Sequence, residues 1–133
     1  MTANPKTSPS RTRVLIVDDD PLVRSLLHAV LEDANFSIAE AADGLEALNM
    51  VDQDVPDVVI LDVMMPGLNG YEVCRAMRAD ERLLGTRIVM LTARDTAFDR
   101  EEGASAGADA FFAKPFSPLD LIDAVIGVTD GAA

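Results

Sequence analysis

Short apolar or β-branched runs alternate with longer periodic stretches along this chain. The runs are Val14 to Val17, Ser37 to Ala42, Val58 to Leu61, Ile88 to Leu91 and Ala110 to Ala113. Three of them, V-L-I-V, V-V-I-L and I-V-M-L, are unbroken aliphatics. A strand that is apolar at every position has both faces covered, as in a parallel sheet flanked by helices. Between the runs the apolar positions return every three to four residues. Over Pro21 to Ala34, the residues Leu22, Val23, Leu26, Leu27, Val30 and Leu31 predict a helix with one apolar stripe. Asp20 stands at its N-cap and Pro21 at its first position. Shorter periodic stretches predict helices over Gly44 to Val51 and Gly70 to Met77. Another, poor in propensity because of Gly103 and Ser105, lies between Thr96 and Ala106. The last opens on Ser117-Pro118-Leu119-Asp120, a capping-box spacing, and turns Leu121, Ile122, Val125 and Ile126 inward. Five strands and five helices in strict alternation imply right-handed crossovers and a doubly wound α/β sandwich with one three-layer core.

Residues 1–12 hold Pro, Ser and Thr but no aliphatic run, and are expected to form a tail without fixed structure. One domain is expected over residues 13–127, with 128–133 as a frayed end or linker stub. At 133 residues, 49% of them hydrophobic, the chain buries roughly 68% of its unfolded surface, enough for a core without disulfide or metal. Cys74 is the only cysteine, so no internal disulfide forms and a cytoplasmic location is expected. No apolar run approaches the roughly 20 residues of a membrane helix, and no signal-peptide stretch is seen, so membrane insertion is not expected. The 11 basic and 23 acidic residues give a formal charge of −12. Lys6 and Arg11 fall in the tail, which leaves the remainder more acidic still. A surface with the sign of a phosphate backbone argues against direct nucleic-acid binding. The absence of Trp, with one Tyr and five Phe, leaves little for base stacking.

In open α/β sheets ligands bind beyond the carboxyl ends of the strands. Strand one is followed by Asp18-Asp19-Asp20, strand three by Asp62, strand four by Thr92 and strand five by Lys114. Taken singly these have ordinary readings: an Asp after a strand is a turn residue or a cap, and Thr92 or Lys114 alone is plain surface. Asp20 is expected to be only a cap. Their shared edge changes the picture, since three gathered acids repel one another unless a cation is present. Carboxylate oxygens from two strands, with no His or Cys beside them, suit a hard divalent ion, and Mg2+ fits best. Asp62 ends a buried strand, so its carboxylate lies at the floor of the cleft and is a candidate nucleophile for a phosphoryl group. Such an attack needs the equatorial oxygens neutralised. A metal held by Asp19 and Asp62, the Lys114 ammonium, and the Thr92 hydroxyl or a backbone N–H would share those three oxygens.

These motifs, V-L-I-V-D-D-D-P, V-V-I-L-D-V-M-M-P-G-L-N-G, I-V-M-L-T-A-R and F-F-A-K-P-F, occur in an order and at a spacing that resembles the receiver domain of two-component response regulators. The resemblance covers residues 13 to about 127. It implies a flavodoxin-like (βα)5 sandwich with sheet order 2-1-3-4-5. It implies that Asp62 accepts a phosphoryl group from a phosphohistidine on a histidine kinase or phosphotransfer protein, docked near the first helix. Asp18 and Asp19 would then be the acidic pair, Asp19 the more direct Mg2+ ligand, and Met64 the donor of a backbone carbonyl. Thr92 would be the switch hydroxyl, and the Lys114-Pro115 bond would be cis, against a base rate of about 5%. Phe111 stands at the aromatic switch position, where many relatives carry Tyr; its plainer reading is core packing. Met64 and Arg94 fall where the family sets the lifetime of the phosphoryl group, and are expected to screen it from water. Output is expected through the face of helix four, strand five and helix five, towards an unidentified protein target or a second copy of the chain. Enzymatic activity would amount at most to self-phosphorylation from small donors and autodephosphorylation.

Two rivals stand beside this reading. A haloacid dehalogenase-like phosphatase also uses an aspartyl phosphate, Mg2+, a hydroxyl and a lysine, but places a second acid two residues after the nucleophile, where this chain has Met64. A receiver-like docking module without phosphorylation is the other. FMN binding fails because acids, rather than a Ser/Thr/Gly-rich phosphate loop, follow strand one. His28, off the apolar stripe, reads as solvated or partner-facing; Cys74 and Met77 read as packing. With no output segment in the sequence, signalling by docking is expected rather than gene regulation.

Overall fold

The computed structural model describes residues 11–93 and 96–130. The elements alternate as β1 (Arg13–Val17), α1 (Pro21–Asp33), β2 (Ser37–Ala41), α2 (Gly44–Gln53), β3 (Val58–Asp62), α3 (Gly70–Arg78), β4 (Arg87–Thr92), α4 (Ala97–Ala106), β5 (Ala110–Ala113) and α5 (Pro118–Asp130). A 3-10 turn over Glu81–Leu83, which the apolar pattern does not signal, joins α3 to β4. All strand pairs are parallel and the order is β2-β1-β3-β4-β5, the doubly wound sheet expected.

The unbroken aliphatic runs are central because they feed both layers. Along β1 the pleat sends Leu15 and Val17 to one side and Val14 and Ile16 to the other. The first side is closed by α2, α3 and α4 through Ala47, Val51, Val73, Met77 and Ala106. The second is closed by α1 and α5 through Leu27, Leu31, Leu121 and Val125. The α1 stripe is narrower than its periodicity suggests: Leu22 and Leu26 are exposed, because α1 meets the sheet only along the Leu27–Leu31 side. Ile126 of α5 is likewise exposed rather than inward. The expected cap of α1 forms, the Asp20 carboxylate accepting from the Leu22 N–H, and α4, expected between Thr96 and Ala106, starts at Ala97 with Thr96 as its N-cap. The Thr12 carbonyl accepts from Ser37 N–H at 2.9 Å and α5 continues to Asp130. Residues 1–10 of the expected tail and 131–133 lie outside the described residues.

α4 is held differently from its neighbours. Its buried positions are Asp99, Gly103 and Ala106, so the largest apolar group it buries is a methyl. Polar ties from α3 run along it instead. The Tyr71 hydroxyl donates to Asp99 Oδ1 (3.2 Å), Arg75 pairs with Glu102 (3.4 Å), and Arg78 Nε donates to the Gly107 carbonyl (2.9 Å).

Strand register brings the site together. Val17 lies opposite Leu61, so Asp18 follows level with Asp62; Asp62 lies opposite Leu91, one residue before Thr92; Thr92 lies opposite Ala113, one before Lys114. The end of β3 is clamped by α3, where a Cβ on Gly70 would stand 2.5 Å from the Asp62 carbonyl oxygen and 2.8 Å from Val63 Cα. Neither backbone atom can yield without moving the strand. Gly70→Ala is therefore expected to lose about 1–3 kcal/mol in urea denaturation. Gly85→Ala, whose Cβ meets nothing within 4 Å, should leave stability within about 0.5 kcal/mol of the parent.

Candidate functional site

Asp18, Asp62 and Thr92 are buried at the carboxyl edge of the sheet, and Asp19 is exposed beside them. Each is placed by its strand: Asp18 and Asp19 follow β1, Asp62 ends β3, and Thr92 ends β4. Lys114 follows β5, and its N–H donates to the Thr92 carbonyl at 2.7 Å, which fixes where its side chain starts. The bond from Lys114 to Pro115 is cis, as expected.

The Lys114 ammonium donates to Asp18 Oδ2 and to Asp62 Oδ1, each at 3.2 Å. The other Asp18 oxygen accepts from the Asp20 N–H at 2.9 Å. The Asp62 carboxylate also accepts from the Met64 N–H. One carboxylate oxygen from each of Asp18, Asp19 and Asp62 lies within 4.8 Å of the others. Three acids against one ammonium leave an excess of negative charge on an oxygen-only donor set, which is the chemistry of a hard divalent cation site, and the residues fit Mg2+. Asp19 is the exposed member, whereas both oxygens of Asp18 already have partners within the chain.

Burial raises the Asp62 pKa to about 6 from the ordinary 3.8, and the Asp18 charge adds to that rise. Lys114 and the Met64 N–H act in the opposite direction without cancelling it. For Lys114, burial works against the ammonium, but the Asp62 and Asp18 carboxylates outweigh it and hold the group above its usual value.

Phe111 is packed inward against the α2-α3-α4 side of the core. The Arg100 guanidinium lies 5.5 Å from its ring centroid, within cation–π range. Gly103, which lowers the propensity of α4, has a packing reason here, since a Cβ there would stand 3.0 Å from the Phe111 ring. The Met64 side chain stands at the rim, 55% exposed. Arg94 lies outside the described residues.

His28, expected to be solvated or partner-facing, is in part turned to neighbours within the chain. It is half-buried, with Nδ1 2.6 Å from Glu40 Oε2 and Nε2 3.5 Å from Glu32. Glu40 also binds Arg24 Nε at 3.2 Å, and Arg24 Nη1 donates to the Asp18 carbonyl at 2.7 Å. This chain of contacts escapes sequence reading because Arg24 and Glu40 are brought together only when β2 pairs with β1. Cys74 and Met77 are fully buried, and burial pushes the Cys74 thiol up to about 11, an inert packing residue.

Comparison with known proteins agrees with this geometry. Residues 14–126 match the response regulator receiver domain family. The chain is 45% identical over 127 residues to the probable transcriptional regulator ycf27 of Guillardia theta, covering 93% of this chain and 49% of that protein. It is 46% identical over 112 residues to the DNA-binding response regulator MtrA of Mycolicibacterium smegmatis, covering 84% and 48%. The chain thus spans about half the length of these curated relatives. Among solved structures, the chemotaxis protein CheY4 of Vibrio cholerae matches with a TM-score of 0.87 and 35% identity, over 90% of this chain and 99% of that one. A response regulator described as putative from Chloroflexus aurantiacus matches with a TM-score of 0.87 and 36% identity, over 91% and 99%. With the parallel sheet, its order and the matched span in agreement, the chain belongs to the response regulator receiver domains of two-component systems.

Proposed function

We propose that this domain is a phosphorylation switch in which the Asp62 carboxylate accepts a phosphoryl group from a phosphohistidine of a histidine kinase or phosphotransfer protein. The observation that carries the reading is the convergence of Asp18, Asp19 and Asp62 with Lys114 at one sheet edge. A bond forms between an Asp62 oxygen and phosphorus as the bond from phosphorus to the donor's ring nitrogen breaks, and the imidazole keeps the electron pair. Lys114, already within reach of Asp62, holds one phosphoryl oxygen, and the Thr92 hydroxyl holds another. Mg2+, held by Asp18, Asp19, Asp62 and the Met64 carbonyl, would neutralise charge on the phosphoryl group. Met64, exposed at the rim of the site, tunes the lifetime of the acyl phosphate by screening it from water; the same role for Arg94 is an expectation on a residue outside the described ones.

Phosphorylation adds about two negative charges beside Asp18, which draws Lys114 and Thr92 towards the new group. The loops after β3 and β4 follow, Phe111 repacks, and the face of α4, β5 and α5 changes shape for a protein target or a second copy of the chain. The donor docks on α1, where Leu22 and Leu26 stand exposed one helical turn apart. The acidic domain itself has no direct role in nucleic-acid contact. No helix among the described residues is long and apolar enough to cross a membrane, and the reading assigns the reaction to the cytoplasm.

The test is intact-mass measurement after incubation with acetyl phosphate. The parent protein should gain one phosphoryl group only with Mg2+ present, and Asp62→Asn should gain none. Equal labelling of both proteins overturns the reading; labelling of neither by this donor or a phosphohistidine protein favours the docking module.

A second expectation concerns pH. The nucleophile must be ionised, so without Mg2+ the Asp62 carboxyl should titrate near pH 6 in carboxyl NMR. Its folded pKa is raised, so the folded state binds the proton more tightly than the unfolded chain, and this contribution to stability falls as pH rises from 3.8 through about 6. Metal-free Asp62→Asn should therefore unfold at a higher temperature than the parent at pH 7.5, with the difference vanishing towards pH 4. A constant difference across that range would remove the assignment.

A further inference from the structure

Arg24 takes no part in the transfer just described, yet its guanidinium ends on the acid loop. We propose that Arg24, anchored by Glu40, is a positioning residue for Mg2+, fixing the peptide between Asp18 and Asp19 and thereby where the Asp19 carboxylate stands. This rests on reading that loop as a Mg2+ site. The peptide is planar, so holding its oxygen also fixes the Asp19 N–H and the direction of the Asp19 Cα. Arg24 Nη1 holds that oxygen at 2.7 Å. The loop is restrained on either side as well: the Asp18 N–H donates to the Ala41 carbonyl at 3.2 Å, and the Asp20 N–H to Asp18 Oδ1 at 2.9 Å. Asp19 is thus bracketed by fixed backbone while its own carboxylate faces solvent.

The aim of Arg24 is itself set by two contacts, one of them braced by a third residue. Its N–H donates to the Asp20 carbonyl (3.0 Å) in the first turn of α1. Its Nε donates to Glu40 Oε1 (3.2 Å) on β2, beside the Ile16 of β1, and the second Glu40 oxygen is taken by His28 Nδ1 (2.6 Å). The Arg24 side chain is only 19% exposed, so the fork has little freedom to leave either acceptor. A guanidinium can serve a carboxylate and a carbonyl from one rigid plane, which an ammonium cannot. The competing role is mechanical: Arg24 could simply tie α1 to β2, stabilising the fold without affecting the ion.

Mg2+ titration followed by the amide NMR signals of Asp19 and Asp20, alongside thermal unfolding, separates the two. Arg24→Ala should bind Mg2+ about tenfold more weakly than the parent, and Arg24→Lys should recover part of the loss. Arg13→Ala serves as the stability control; Arg13 ties β1 to Asp54 and the Val55 carbonyl, and its loss should lower the melting temperature without changing Mg2+ affinity. If Arg24→Ala melts lower but binds Mg2+ within about twofold of the parent, Arg24 is only a tie and the inference is overturned. Should Arg24→Ala not fold, Glu40→Gln must weaken Mg2+ binding by releasing the anchor, and unchanged affinity overturns the inference equally. A parent protein whose signals ignore Mg2+ removes the metal site itself, an outcome distinct from a parent that binds and a variant that binds equally well.

Discussion

The Lys114 ammonium stands 3.2 Å from a carboxylate oxygen of Asp18 and 3.2 Å from one of Asp62, and without it two buried anions would face each other at the end of the sheet. Burying an unpaired carboxylate is among the more expensive things a fold can do, and one cation shared between two acids offsets it only in part. The elevated pKa of Asp62 is the residue of that imbalance. The arrangement exists only while β1, β3 and β5 keep their register, since a slip by one residue would turn every one of these side chains to the other face. The aliphatic strands beneath the site supply that rigidity. Their burial on both faces fixes the sheet, and the fixed sheet holds like charges closer than they would settle by themselves.

Much of this was legible in the sequence because sheet periodicity is simple. A short all-apolar run between turns and periodic stretches reads as a covered strand, and in a parallel sheet the strands' carboxyl ends emerge at one edge, so Asp18, Asp62, Thr92 and Lys114 were gathered from the sequence. Helix faces were less legible. Periodicity gives the direction of an apolar stripe but not how much of it a neighbour covers, which is why Leu22 and Leu26 of α1 and Ile126 of α5 read as inward and stand exposed. The Arg24–Glu40–His28 chain was invisible for another reason: no spacing rule links a residue on α1 to one on β2, and only the completed pairing of β1 with β2 brings them within reach. Gly103 shows the limit of propensity, since a residue that weakens α4 locally makes room for the Phe111 ring.

α4 is attached to the domain differently from the other helices. Besides Ala106 in the shared core, it is tied to α3 by hydrogen bonds and by the Arg75–Glu102 pair on partly exposed side chains, and such polar contacts exchange readily with water. An element that buries little apolar area can shift without opening the core, which is the property expected of the least stable unit in a cooperative structure.

The division of the core into two sheets of contact, α1 and α5 on one side and α2, α3 and α4 on the other, has a consequence for descent with modification. Substitutions on opposite layers share no side-chain neighbours and so combine nearly additively. The exposed face of α1 and α5 could therefore diverge from lineage to lineage while the layer of α2, α3 and α4 stayed as it was, without rebuilding the central β-sheet.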